Sequence, residues 1–308
     1  MKKECLIRGV HPGRAIRLAW VECAAMANTG IVTHDTDPAA AEAFANALGA
    51  AAAASVMLDQ EERYSIRYDY PGALKGLVIE AAADGAVRGF PLEPQPMHGR
   101  FGEAVDLYGA KDGRIAVTRS GGNGRMLNSG QARAPLADPA ADLAFFFCVS
   151  DQIETEIRTF PVWQPEPEAP LRQMAVLMLQ ALPGCDLEIF GRLRSALHCS
   201  RMTECRRTLD PALAPEDHLK TLLTELASCA EVKDFDAGQC VLSEAPAPHW
   251  QCRCSRPAMS RAMRVMGDRE LEELFDERPN PVIECQFCRT RYMFRREDFF
   301  ADAEGKKR

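Results

Sequence analysis

Apolar residues in the middle of the chain fall into short runs of strand character, YSIRYDY, LKGLVIEAA, AVRGF and RIAVTRS, between about Arg63 and Pro161. The segments between them, PGA, ADG, KDG and SGGNG, hold the residues that favour tight turns, so the pattern predicts a mainly antiparallel sheet. DPAADLAFFFCVSDQIETEI, Asp138 to Ile157, predicts a helix running into an extended segment, and PEPEAP a loop. LRQMAVLMLQALPG is an apolar strand or helix that Pro183 and Gly184 stop. Nearer the start, AFANALGAAAAASVML from Ala43 to Leu58 is uncharged and alanine-rich, too short for a membrane span, and predicts a tightly packed helix. The fold class expected is α+β, with helices flanking the sheet.

The pattern changes near residue 190. APEDHLKTLLTELASCAEV sets Leu219, Leu222, Leu223 and Leu226 at i, i+3, i+4 and i+7, behind Pro215 and the acidic pair Glu216 and Asp217. That one-sided stripe predicts an amphipathic helix that must lean on another surface. Three regions are expected: a main domain over 1–190, a helical linker over 191–247, and a small module over 248–308.

Composition narrows the chemistry. With 308 residues, 46% hydrophobic, the chain can bury one substantial core and a smaller one. Its net charge of -7 gives no general attraction to nucleic-acid phosphates or anionic membranes. The amino terminus, MKKECLIRGVHPGRAIRLAW, lacks the continuous apolar run of a signal peptide. The expected compartment is therefore the reducing cytosol, where 12 cysteines point to metal or redox chemistry rather than to a disulfide framework.

Four of them are paired. Cys252 and Cys254 form a Cys-x-Cys, and Cys285 and Cys288 a Cys-x-x-Cys. One tight turn presents two sulfurs to a zinc ion in the second motif, and side chains at i and i+2 of an extended segment share a face in the first, so all four can complete a tetrahedral site for one Zn²⁺ per chain. Between the pairs, Ser255 can cap a helix starting at Pro257 with Met259, Met263 and Met266 on one face, and Asp268 can cap a second containing Leu271, Leu274 and Phe275. Arg253, Arg256, Arg289 and Arg291 lie close to the sulfurs in sequence and can offset their charge. Residues 251–308 carry 13 Lys plus Arg against 11 Asp plus Glu, so the acidity lies in the rest of the chain.

Rival readings attach to the same residues. The zinc site can be purely structural, and His249 is a fifth candidate ligand. A zinc-ribbon nucleic-acid protein would bind phosphates with Arg289, Arg291, Arg295 and Arg296, against the acidity of the body. A thiol-disulfide oxidoreductase would use Cys285 and Cys288, but the thioredoxin-like βαβ setting such a pair needs is not apparent.

CRCSRPAMSRAM, GDRELEELFDE and IECQFCRTRYMF resemble the carboxy-terminal redox switch of the heat-shock protein 33 family, the 33 kDa chaperonins. PGALKGLVIEAAADGAVRGFP, SGQARAPLADPAADLAFFFCVSDQIETEI and MLQALPG resemble further family segments, which places the likeness over roughly residues 60 to 300, with a poor match in the first 50. Asp151 stands where the family usually has Glu, and Cys199, Cys205, Cys229 and Cys240 are additional thiols of the linker. The resemblance implies a non-enzymatic, ATP-independent holdase of the cytoplasm, active in stress response. It implies that Cys252, Cys254, Cys285 and Cys288 hold zinc when reduced and form the disulfides Cys252–Cys254 and Cys285–Cys288 when oxidised. Zinc release then unfolds the module, and the metastable linker detaches to uncover a surface for unfolding client proteins. A homodimer is implied in the oxidised state, with no role for nucleic acid or membrane.

Overall fold

The computed structural model describes residues 4–99, 104–109, 112–210 and 212–300; residues 1–3 and 301–308, which enter the sequence reading of the amino terminus and of the terminal charge balance, lie outside the described residues. The chain divides into two compact units, Met1–Gln251 and Cys252–Arg308.

The first unit opens with an antiparallel hairpin, β1 (Cys5–His11) and β2 (Ile16–Glu22), followed by α1 (Ala24–His34) and α2 (Pro38–Ala54). Asp37 caps α2 by accepting from the Ala40 amide at 2.9 Å, with Pro38 preset for the first helical position. The predicted strand runs are β3 (Arg63–Asp69), β4 (Gly76–Ala82), β5 (Ala86–Pro91) and β6 (Gly113–Ser120), joined by β7 (Met126–Ala134), which the apolar pattern does not reveal because most of its residues are exposed. Asp138 caps α3 (Pro139–Val149), which runs into β8 (Thr155–Trp163) as expected. The segment left open between strand and helix is strand β9 (Leu171–Ala181), seven consecutive buried residues in the middle of a sheet. Then come α4 (Leu187–Leu197), α5 (Ser200–Thr208), α6 (Pro215–Cys229), β10 (Val241–Ala245) and β11 (His249–Trp250). The result is α+β, as expected.

Two sheets organise this unit. One has the order β10-β1-β2-β9-β8, antiparallel throughout; the other has the order β11-β5-β4-β3-β6-β7, in which only the β11–β5 pairing is parallel. Helix α2 packs on β2 and β9 of the first and on β4 and β5 of the second. A helix held between two sheets is buried all round, so it needs apolar residues on every side and small ones where backbones approach. Alanine meets both demands, and at Gly49 a Cβ would sit 2.8 Å from Val176 Cγ2. Pro38–Met57 has the length and hydropathy to cross a membrane, yet 83% of its most apolar window is buried inside the protein.

The five-stranded sheet is covered on its other face too. Side chains alternate along a strand, so Ala19 and Val21 of β2 join the α2 core while Leu18 and Trp20 turn the opposite way. There they meet the stripe of α6, whose Leu219, Leu222, Leu223 and Leu226 are all fully buried. Burial of β9 on both faces, unusual for an antiparallel strand, is the reason its sequence carries no alternation. Beyond α6, the segment DFDAGQCVLSEAPAPHW adds β10 to the sheet edge beside β1 and β11 beside β5.

His11, at the end of β1, is buried with its ring 4.5 Å from Phe235. Burial is the main cause holding its pKa below the ordinary histidine value. A histidine that resists protonation only when folded leaves stability intact above the unfolded pKa and removes it as pH falls below that value. Urea unfolding midpoints should therefore fall between pH 7.5 and pH 5.5, and His11→Gln should flatten part of that fall; parallel pH profiles for the two proteins would refute the assignment.

In the second unit, Ser255 caps α7 (Arg256–Arg264) by accepting from the Ala258 amide at 3.3 Å, so the helix starts at Arg256 and Pro257 is its second residue. Gly267, at φ 94°, takes the cap position of α8 (Asp268–Glu277), and Asp268 becomes the first helical residue rather than the cap. Met263 is buried and Met259 half-buried, but Met266 lies beyond the end of α7 and is exposed, so the methionine face has two members, not three. A short hairpin follows, β12 (Val282–Glu284) with β13 (Arg291–Met293). Met263, Leu271, Phe275, Phe294 and Phe299 form the small core of this unit.

Candidate metal centre

The hairpin positions one half of the site. Ile283 opposes Tyr292 and Glu284 opposes Arg291, and the strands are joined through the Cys-x-x-Cys turn. The Cys285 amide donates to Thr290 O at 2.9 Å and the Arg289 amide to Cys285 O at 2.8 Å, with Arg289 in the left-handed region at φ 58°. These bonds curl the chain so that Cys285 and Cys288 present sulfur to one side. Cys252 and Cys254 come from the extended segment before α7, where the alternation of side chains brings both to the same point.

All four Sγ atoms lie within 4.8 Å of one another; Cys252 Sγ is 3.7 Å from Cys285 Sγ, and Cys254 Sγ is 3.3 Å from Cys288 Sγ. Sulfurs about 2.3 Å from a zinc ion at the corners of a tetrahedron stand about 3.8 Å apart, so the cluster has the dimensions of a zinc tetrathiolate. Cys285 is buried and the other three are half-buried.

The electrostatics point the same way. Burial, then hydrogen bonding with the neighbouring thiols, pushes Cys254 up to about 12 despite the Tyr292 hydroxyl 3.1 Å from its sulfur. Cys288 is held down at about 7: burial works against its thiolate, but Thr290, whose hydroxyl is 3.2 Å away, and the thiols of Cys254 and Cys252 outweigh it. One thiolate suppresses ionisation of the next, so four together require a compensating cation. The donor set fits a soft divalent ion such as zinc.

The four predicted ligands are thus brought together, and His249 is not among them. Its Nδ1 lies 3.1 Å from Ala247 O, in the first unit. Arg256, Arg289 and Arg291, near the sulfurs in sequence, have carboxylate partners. Arg289 and Arg291 both bind Glu284, at 3.0 and 2.9 Å, while Arg256 pairs with Asp298 at 2.7 Å and lies over the Phe294 ring. Arg295 pairs with Glu297 and Arg296 with Asp276, so the set expected for a nucleic-acid surface is matched by carboxylates. Tyr292 and Thr290 were not expected at the site. Their signal was positional, a hydroxyl two and four residues after the second cysteine of a hairpin turn.

Comparison with known proteins gives one consistent result. The sequence model of the family described as Hsp33 protein matches residues 4–295, which extends the likeness through the first 50 residues, where a poor match was expected. A 33 kDa chaperonin of Clostridium perfringens is 27% identical over 98% of this chain and 92% of its own length; one of Deinococcus radiodurans is 26% identical over 98% and 99%. The crystal structure of the 33 kDa chaperonin (heat shock protein 33 homolog) of Thermotoga maritima has the same fold, with a TM-score of 0.72 at 19% identity over 96% of this chain and 95% of that one.

Proposed function

Since the chain belongs to the Hsp33 protein family, we propose that it is a molecular chaperone of the holdase type, independent of ATP, whose client-binding surface is released when oxidants attack its carboxy-terminal thiolates. The observation that carries this reading is the docking of α6: four leucines, fully buried, cover the face of the five-stranded sheet that displays Ile7, Leu18, Trp20 and Leu177. Undocking would uncover two complementary apolar surfaces in one step, which suits capture of unfolding proteins.

That docking has a costly component. Arg206 of α5 and His218 of α6 are buried against Glu22 of β2, at 3.5 and 3.4 Å, with the Arg206 guanidinium 5.5 Å from the Trp20 ring centroid. Burying a guanidinium and a carboxylate costs much of what their attraction returns, so the linker is bound tightly by its leucines and only marginally as a whole. Such an element belongs to the low-stability end of a structure.

Cys252, Cys254, Cys285 and Cys288 would hold one Zn²⁺ per chain, and the metal would supply the energy that folds a module with so small a core. Peroxide or hypochlorous acid converts thiolates to disulfides, two electrons per bond, and the pairs implied by the family resemblance are Cys252–Cys254 and Cys285–Cys288. With its ligands gone the module would unfold, and the family resemblance implies that the linker then detaches from the sheet. Clients would be unfolding proteins, the oxidised form a homodimer, and the compartment the cytoplasm; no enzymatic step is required.

The test is light scattering from a thermally unfolding client. Peroxide with mild heat should release zinc, raise the fluorescence of an apolar dye and suppress aggregation without ATP, and thiol reductant with zinc should reverse the first two changes. Equal aggregation with reduced and oxidised protein would overturn the switch and leave only a structural metal site.

A further inference from the structure

A second pair of thiols lies in the first unit. Cys199 immediately precedes α5 and Cys229 ends α6, 30 residues apart in sequence, yet their sulfurs are 3.3 Å apart. Neither belongs to the carboxy-terminal cluster. The contact is held by its surroundings: Arg201 forms an ion pair with Glu225 at 2.7 Å and donates to Ser228 Oγ at 3.3 Å, fixing the start of α5 against the last turn of α6. Both thiols are half-buried, open enough for a small oxidant to reach.

We propose that Cys199 and Cys229 form an independent redox pair, in which Cys199 is attacked by hydroperoxides, Cys229 resolves it, and the resulting disulfide ties the start of α5 to the end of α6. This site is separate from the metal centre and does not depend on the chaperone reading.

The two thiols are unequal in the way that chemistry needs. Burial disfavours the Cys199 thiolate, but the Cys229 thiol, the nearby amides of Met202 and Arg201 and the Arg201 charge outweigh it and hold its pKa below the ordinary value. The position at the start of a helix favours the anion in the same sense. Burial, with the Cys199 thiol next to it, pushes Cys229 up to about 12, so it keeps its proton. Glu225 Oε1, 3.5 Å from Cys229 Sγ, is placed to accept that proton.

The steps balance. The Cys199 thiolate attacks one oxygen of hydrogen peroxide; the O–O bond breaks, and a sulfenic acid and hydroxide result. Cys229 passes its proton to Glu225 and its sulfur attacks that of the sulfenic acid, forming S–S and expelling a second hydroxide, which is protonated to water. In sum, two thiols lose two electrons and two protons, and one peroxide becomes two waters.

The experiment is peptide mapping of the full-length reduced protein after a brief, near-stoichiometric peroxide pulse and alkylation of remaining thiols. The expected product is the tryptic peptide Ser195–Arg201 joined to Thr221–Lys233, cleaved by reductant. Cys229→Ser should instead leave Cys199 as a sulfenic acid trapped by dimedone, and a maleimide should label Cys199 roughly tenfold faster than Cys229 at neutral pH. Recovery of both peptides as separate alkylated species, or Cys199 joined to a different cysteine, overturns the proposal. Zinc is measured on the same samples, so failure of the linkage and failure of metal binding are read separately.

Discussion

Cys285→Ser should cost the reduced protein most of its zinc and unfold the second unit while leaving the sheets of the first folded. Of the four clustered cysteines Cys285 is the most buried, and its backbone closes the hairpin from both sides through Thr290 and Arg289. Serine offers no thiolate, so three ligands would remain on a site whose geometry requires four. The unit has little else to rely on: five buried side chains form its core, and its flanking ion pairs are exposed and worth little each. Structural zinc contributes about 10–16 kcal/mol to folding in comparable small sites, well above what such a core supplies alone. Metal analysis should show near-complete loss. Amide hydrogen exchange should become fast over 252–300 and stay slow in β2 and β9. Full zinc in the variant, or slow exchange in α7 and α8, would refute the coupling of metal to fold.

The second large effect is expected in the linker. Replacing Leu222 and Leu223 together with serine removes two fully buried side chains from the contact between α6 and the sheet, at about 2–5 kcal/mol each, and puts hydroxyls where no partner awaits them. Against a docking already burdened by the buried Arg206, Glu22 and His218 group, that is enough to release the helices. The reduced double variant should bind an apolar dye and suppress client aggregation without oxidant. Leu222→Met, nearly conserving volume, should stay silent until oxidised. A folded double variant with undocked α6, shown by fast exchange over 215–229, and no gain in client protection would separate undocking from activity and sink the proposed mechanism.

The peroxide pair in the linker bears on this mechanism. If Cys199 and Cys229 are joined, α5 and α6 undock as a cross-linked hairpin rather than as free chain, so the Cys229→Ser protein and the parent should differ in how far 200–228 exchanges after oxidation.

What could be read without the fold was whatever depends on near neighbours in the chain. The grouping of Cys252, Cys254, Cys285 and Cys288 was legible because such turns are local: Cys-x-x-Cys in a hairpin and Cys-x-Cys in an extended segment present sulfur to one side wherever they occur. The stripe of α6 was legible for the same reason, since residues three and four apart share a helix face. So were β3 to β6, where Gly, Pro and Asp punctuate alternating runs, and the α+β class that follows from them. Other features needed the tertiary structure because their cause is distant in sequence. Strand β9 carries no alternation because α2 packs on one face and the core cluster built with α4 and α6 on the other, and β7 carries no apolar pattern because much of it is exposed. Sequence proximity set Arg289 and Arg291 beside the sulfurs, but folding turned them to Glu284 across the hairpin. Cys199 and Cys229 are unremarkable as two thiols 30 residues apart; packing of the start of α5 against the end of α6 alone makes them a pair. Local spacing thus determined which groups can hold a metal and which face a helix must bury, while packing between remote segments decided what that face covers and which charges and thiols meet.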